Sequence, residues 1–133
     1  MILVDTSVLV DVLKGVQNEK SALFKRIVER NLSYGISEYT YLELLQGARN
    51  HKEYNNLNEY LLDMTIYMLP KTVEIYEQAA SMYFNLRRQG VTPRSTIDVL
   101  IALTAIEHGL MLLHNDKDFD AMGNKVAKLK SYS

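Results

Sequence analysis

The chain has 133 residues, 47% of them hydrophobic, with 15 basic and 16 acidic side chains for a net charge of −1 and no cysteine. A chain of this length buries one sizeable core, so a single domain over residues 1–133 is expected, and neither two independent domains nor a disulfide-stapled miniprotein fits. The lack of cysteine excludes disulfides, zinc–thiolate sites and thiol nucleophiles. The near-zero charge argues against a generally basic nucleic-acid coat, because counterion release needs clustered Lys and Arg, so any nucleic-acid site must be local.

Ile2-Leu3-Val4 is a short apolar run of the kind buried on both faces of a parallel sheet, and it ends at Asp5. No basic residues precede it, as a secretory signal would require, and the longest later apolar stretch, Val99 to Ile106, falls far short of the roughly 20 residues that span a bilayer. A cytoplasmic protein without a membrane partner is therefore expected. Leu9, Val12 and Leu13 recur at helical spacing up to Gly15, and Leu23, Ile27 and Val28 repeat the pattern over about Lys20 to Arg30. Alternation of Leu32, Tyr34 and Ile36 with Ser33 and Gly35 predicts a second strand, after which Ser37 is a natural N-cap for a helix running to about Arg49.

Tyr54, Leu57, Tyr60 and Leu61 mark a further helix, and Thr65 to Leu69 reads as a strand ended by Pro70. Thr72 caps a long helix carrying Ile75, Ala79, Met82, Tyr83 and Leu86, with Gly90 suited to its end. Ser95 or Thr96 then opens a strongly apolar helix to His108, Leu110 to Leu113 forms another buried strand, and Val126 to Lys130 reads as a short last strand. Strands alternating with helices imply right-handed crossovers, hence an α/β fold with a mainly parallel sheet covered by helices on both faces. There is no repeat, low-complexity segment or linker.

Four acids stand out by position. Asp5 follows the first strand, Asp116 follows the strand at Leu110 to Leu113, Asp98 lies in the first turn of an otherwise apolar helix, and Glu43 lies mid-helix. Ligands of open parallel sheets bind beyond the carboxyl ends of the strands, where Asp5 and Asp116 would project. Gathering four carboxylates there is unfavourable without a counter-charge, and an all-oxygen donor set favours a hard ion, Mg²⁺ or Mn²⁺, over zinc. The implied chemistry is phosphodiester hydrolysis. Each acid also has a plainer role, since Asp in a first helical turn suits the helix dipole, Glu is a good exposed helix former and Asp is common in turns.

The segments Val4-Asp5-Thr6-Ser7-Val8-Leu9, Glu43-Leu44-Leu45-Gln46-Gly47-Ala48-Arg49, Asp98-Val99-Leu100-Ile101-Ala102 and Leu112-Leu113-His114-Asn115-Asp116-Lys117-Asp118-Phe119 resemble, in order, the four signature blocks of PIN-domain ribonucleases, above all the VapC toxins of toxin–antitoxin pairs. The resemblance implies a three-layer α/β/α fold and a metal pocket made by Asp5, Glu43, Asp98 and Asp116. It also implies hydroxyl help from Thr6 or Ser7 and an auxiliary role for Asp118. The activity implied is RNA cleavage, often of structured RNA, by a homodimer held inactive by a cognate antitoxin. His114 departs from the pattern, which commonly has Thr or Ser there.

Removing those four from the 16 acids leaves 12 against 15 bases, only mildly cationic. Much of the attraction for RNA phosphates would then come from the metal, helped by nearby bases such as Arg49, Arg94 and Lys117, with Arg49 placed near the end of the Glu43 helix. In-line hydrolysis would leave a 5′-phosphate and a 3′-hydroxyl. The rival of another class is a PIN-like module that binds RNA or protein and cuts nothing. A phosphoryl-acceptor response domain fits less well, because Asp5 has no adjacent acid.

Overall fold

The computed structural model describes all residues 1–133. Strands β1 (Ile2–Val4), β2 (Tyr34–Ser37), β3 (Thr65–Tyr67) and β4 (Met111–Leu113) form one sheet in the order β3-β2-β1-β4, with every neighbouring pair parallel. Parallel neighbours need crossover connections, and each one here carries helices. Helices α1 (Thr6–Leu13) and α2 (Glu19–Glu29) join β1 to β2; α3 (Glu38–Gln46) and α4 (His51–Leu62) join β2 to β3. Helices α5 (Val73–Arg88) and α6 (Thr96–Glu107) lead back to β4, and α7 (Lys117–Gly123) follows it. The first two crossovers step one way across the sheet and the third steps back past β1, so a common right-handed sense places α1 to α4 on one face and α5 and α6 on the other.

The strand pleat divides the core accordingly. Ile2 and Val4 pack with Val8, Leu9, Phe24, Ile27 and Leu61 on one side, whereas Leu3 packs with Ile101, Ala102, Phe119 and Met122 on the other. Leu3 has no exposed surface, and burying a side chain of its size contributes roughly 1.5–3 kcal/mol. In α6, Val99, Ile101, Ala102, Leu103, Thr104 and Ala105 are all buried, the pattern of a helix enclosed on every side. It lies against β4, α3 and α5, so Asp98 in its first turn is carried by one of the most enclosed elements of the molecule.

Gly35 in β2 meets a steric demand. A Cβ there would lie 2.5 Å from the Thr65 carbonyl oxygen and 2.6 Å from the Tyr67 ring. Ser37 ends β2 and at once caps α3, its hydroxyl accepting the Tyr39 and Thr40 backbone N–H groups, both at 3.1 Å. No helix is long and apolar enough to cross a membrane.

Two expectations need correction. Helix α3 ends at Gln46 with Gly47 as its C-cap, so Arg49 is outside it. Residues 126–130 form turns, because Val126 and Leu129 both point into the α6–α7 core instead of alternating, and only Ser131 bridges Leu112. Helix α7, for which the sequence pattern predicted no element, follows Asp116 as its N-cap.

Candidate active site

Because β1 and β4 are neighbours and the chain runs from β1 through β2 and β3 before returning to β4, the sheet order reverses between β1 and β4, and a crevice opens beyond their carboxyl ends. Asp5 leaves β1 there as the N-cap of α1. Its Oδ2 accepts the Ser7 N–H at 3.0 Å and the Ser7 hydroxyl at 2.7 Å. The Ser7 Oγ in turn accepts the Asn115 N–H at 2.9 Å, fastening the loop after β4 to the start of α1. Asp5 is buried, and its Oδ1 has no partner at all. Buried polar atoms are nearly always satisfied, so this oxygen is a place where a further group belongs.

Glu43 arrives from α3. The Thr6 hydroxyl, one residue past Asp5, donates to Glu43 Oε1 at 2.8 Å and shares a 3.0 Å hydrogen bond with the Thr40 hydroxyl. Thr6 and Ser7 thus have separate tasks, one steadying Glu43 and the other Asp5. On the opposite wall, carboxylate oxygens of Asp98, Asp116 and Asp118 all lie within 4.8 Å of one another. Asp116 is the N-cap of α7, and its Oδ1 accepts the Asp118 N–H at 2.9 Å.

The two groups of acids are electrostatically coupled. Burial pushes the Asp98 carboxyl up to about 6, and repulsion from Asp5, Asp116, Glu43 and Asp118 adds to it. Asp5 is also raised to about 6, by burial above all, against the lowering effect of its Ser7 hydrogen bonds. Asp118 alone is lowered, by its hydrogen bond from Arg94. The donors are all carboxylate oxygens, one of them buried and unpartnered, which suits a hard divalent ion; Asp5, Glu43, Asp98 and Asp116 are the residues that would hold it.

The PIN domain profile matches residues 2–125. The chain belongs to the PIN domain family. It is similar over its full length to the VapC ribonuclease Mb1587 of Mycobacterium bovis, with 29% identity and 98% of that protein covered. Among solved structures, VapBC-1 of nontypeable Haemophilus influenzae shares the fold at a TM-score of 0.72 with 24% identity, covering 100% of this chain and 98% of that one. VapBC2 of Rickettsia felis, bound to a promoter DNA fragment, aligns at 0.75 with 19% identity, covering 99% and 98%.

Within this PIN domain, His114 is a buried support for Asp116. Its Nδ1 accepts the Asp116 N–H at 3.3 Å, its Nε2 lies 3.2 Å from Ser131 Oγ, and the ring packs on Phe119. Burial lowers its pKa, which favours the neutral ring that can accept at Nδ1. The expected basic residues separate. Arg49 faces solvent beside Glu53, 3.4 Å away, and Lys117 is exposed at the start of α7. Arg94 instead lies on the acids: its Nε donates to Asp118 Oδ2 at 2.9 Å and its Nη2 to Asp116 Oδ1 at 3.1 Å. Sequence reasoning missed that contact and also missed Thr40. Only the position of Thr40, three residues before Glu43 on the same helical face, hinted at its place.

Proposed function

We propose that this PIN domain is a Mg²⁺- or Mn²⁺-dependent endoribonuclease and the toxin of a VapBC-type toxin–antitoxin pair. The observation that carries the reading is the unpartnered, buried Oδ1 of Asp5 in a pocket where the charges of Asp98, Asp116 and Glu43 converge. When bound, a divalent ion supplies the missing counter-charge, a water of lowered pKa and stabilisation of the phosphoryl oxygens. The protein's own share is positional. Ser7, fastened by Asn115, holds Asp5; Thr6, bonded to Thr40, holds Glu43; and His114 holds the Asp116 backbone. Hydrolysis joins a water oxygen to phosphorus and breaks the P–O3′ bond, leaving a 5′-phosphate and a 3′-hydroxyl.

RNA as the substrate rests on the name of the mycobacterial relative, a ribonuclease, because the chemistry itself requires no 2′-hydroxyl. Lys117 and Arg49 would meet phosphates at the rim. The antitoxin rests on the toxin–antitoxin complexes among the structural neighbours. A groove of about 1080 Å³ between α1, α3 and α4 runs up to Glu43; Val10, Leu13, Leu44, Leu57 and Tyr60 line it together with Lys14, Arg49, Lys52 and Glu53, and it would accept an amphipathic antitoxin segment. The family resemblance adds a homodimer. The test is incubation of purified, antitoxin-free protein with total RNA and Mn²⁺. Cleavage with 5′-phosphate ends, lost with EDTA and in Asp98→Asn, is expected; 2′,3′-cyclic phosphate ends or EDTA-resistant cleavage that persists in Asp98→Asn would refute the mechanism.

A further inference from the structure

Arg94 stands in the loop before α6 and puts three donors on two carboxylates. Its backbone N–H and Nε both donate to Asp118 Oδ2, at 3.3 and 2.9 Å, and its Nη2 donates to Asp116 Oδ1 at 3.1 Å. With Asp98, these are the same residues whose oxygens lie within 4.8 Å of one another. A cation already sits on the outer side of the acid cluster. The inner side differs: Asp98 takes part in no ion pair, and Asp5 Oδ1, buried and without a partner, receives nothing from Arg94.

The hydrogen-bond pattern on Asp116 sharpens the division. Its Oδ1 is taken twice, by the Asp118 N–H and by Arg94, which leaves Oδ2 free of both. Asp118, gripped by two donors of Arg94, is engaged as an anchor for the guanidinium. Five acids crowd this pocket, and a planar fork that spans two carboxylates neutralises part of that charge without needing the dehydration a metal ion requires.

We propose that Arg94 is a built-in cation occupying one of two cation positions in the acid cluster, with Asp118 as its anchor, so that the chain binds a single divalent ion on the Asp5–Asp98 side. This rests on the metal-dependent reading above and adds the number of ions and the reason for it. Removing the guanidinium frees Asp118 and the outer oxygen of Asp116 for a second ion.

The experiment is Mn²⁺ titration of the full chain by calorimetry, with bound Mn²⁺ counted by electron paramagnetic resonance. It compares the natural protein, Arg94→Ala, and Arg94→Ala combined with Asp118→Asn. Arg94 is highly exposed and exposed ion pairs add little to stability, so the variants stay folded, which a thermal melt verifies. One ion is expected in the natural protein, two in Arg94→Ala and one again in the double variant. Two ions in the natural protein, or one in both it and Arg94→Ala, would overturn the role of Arg94 and leave the metal pocket standing. No ion in any of the three would overturn the metal reading and this inference together.

Discussion

At Asp5 two demands conflict. The residue caps α1 and is fastened by Ser7, which requires an acceptor, yet it is buried where a negative charge is poorly solvated. Its carboxyl is raised from 3.8 to about 6, so the folded chain holds this proton more tightly than the unfolded chain does. Stability from that proton is fully present below the unfolded value and is lost as the pH rises through about 6. Without metal, Asp5→Asn should keep the Ser7 hydrogen bonds, remove the buried charge and stabilise the fold by roughly 1–3 kcal/mol near pH 7.5. Urea denaturation in EDTA should show that gain near pH 7.5 and little difference near pH 4. An unchanged or lower stability near neutral pH would mean that the charge is well solvated in the fold.

The element scale is where sequence and structure diverge most. Period-2 alternation located β2, but only the packed sheet shows why Gly35 is needed: β3 passes so close that a methyl group would meet the Thr65 carbonyl and the Tyr67 ring. Gly35→Ala should cost about 1–3 kcal/mol, as overpacking does, read as a lower urea midpoint at unchanged slope. Helix α3 stops before Arg49 although apolar spacing and good helix formers continue, because Gly47 closes it and Asn50 caps α4. The C-terminal segment shows the reverse error. Its alternating lysines suggest a strand, yet Val126 and Leu129 are drawn into the core against α6, and only residues 130–132 reach β4, where Leu112 donates to the Lys130 carbonyl at 2.7 Å and accepts from Tyr132 at 2.9 Å. Tertiary burial outweighed local pattern at that point.

Over the whole molecule, parallel pairing of β1 with β4 closes the site by bringing Asp5 and Asp116, 111 positions apart in sequence, to one crevice edge. Helices α3 and α6, from opposite faces of the sheet, add Glu43 and Asp98. A group bound across those four parts favours the folded chain by mass action, by about 2.7 kcal/mol at a hundredfold excess over its Kd. Mn²⁺ should therefore raise the melting temperature, EDTA should reverse the rise, and Asp98→Asn should diminish it. A melting temperature indifferent to Mn²⁺ would argue against a pocket shared among these elements.

Legible in the residues alone were the α/β class, the strands that end just before Asp5 and shortly before Asp116, the apolar helix headed by Asp98 and the family whose four blocks contain the acids. Those features are local, set by hydrophobic period, capping chemistry and short words of adjacent residues, so they survive without knowledge of what packs against what. Packing in three dimensions set the strand order, the division of labour between Thr6 and Ser7, the buried His114 beneath Asp116 and the grip of Arg94 on Asp116 and Asp118. Each of these depends on atoms from segments far apart in the chain, or on burial that changes a group's charge. Neither can be read from spacing, because a hydrogen bond or a raised pKa belongs to a place in space and not to a position in the chain.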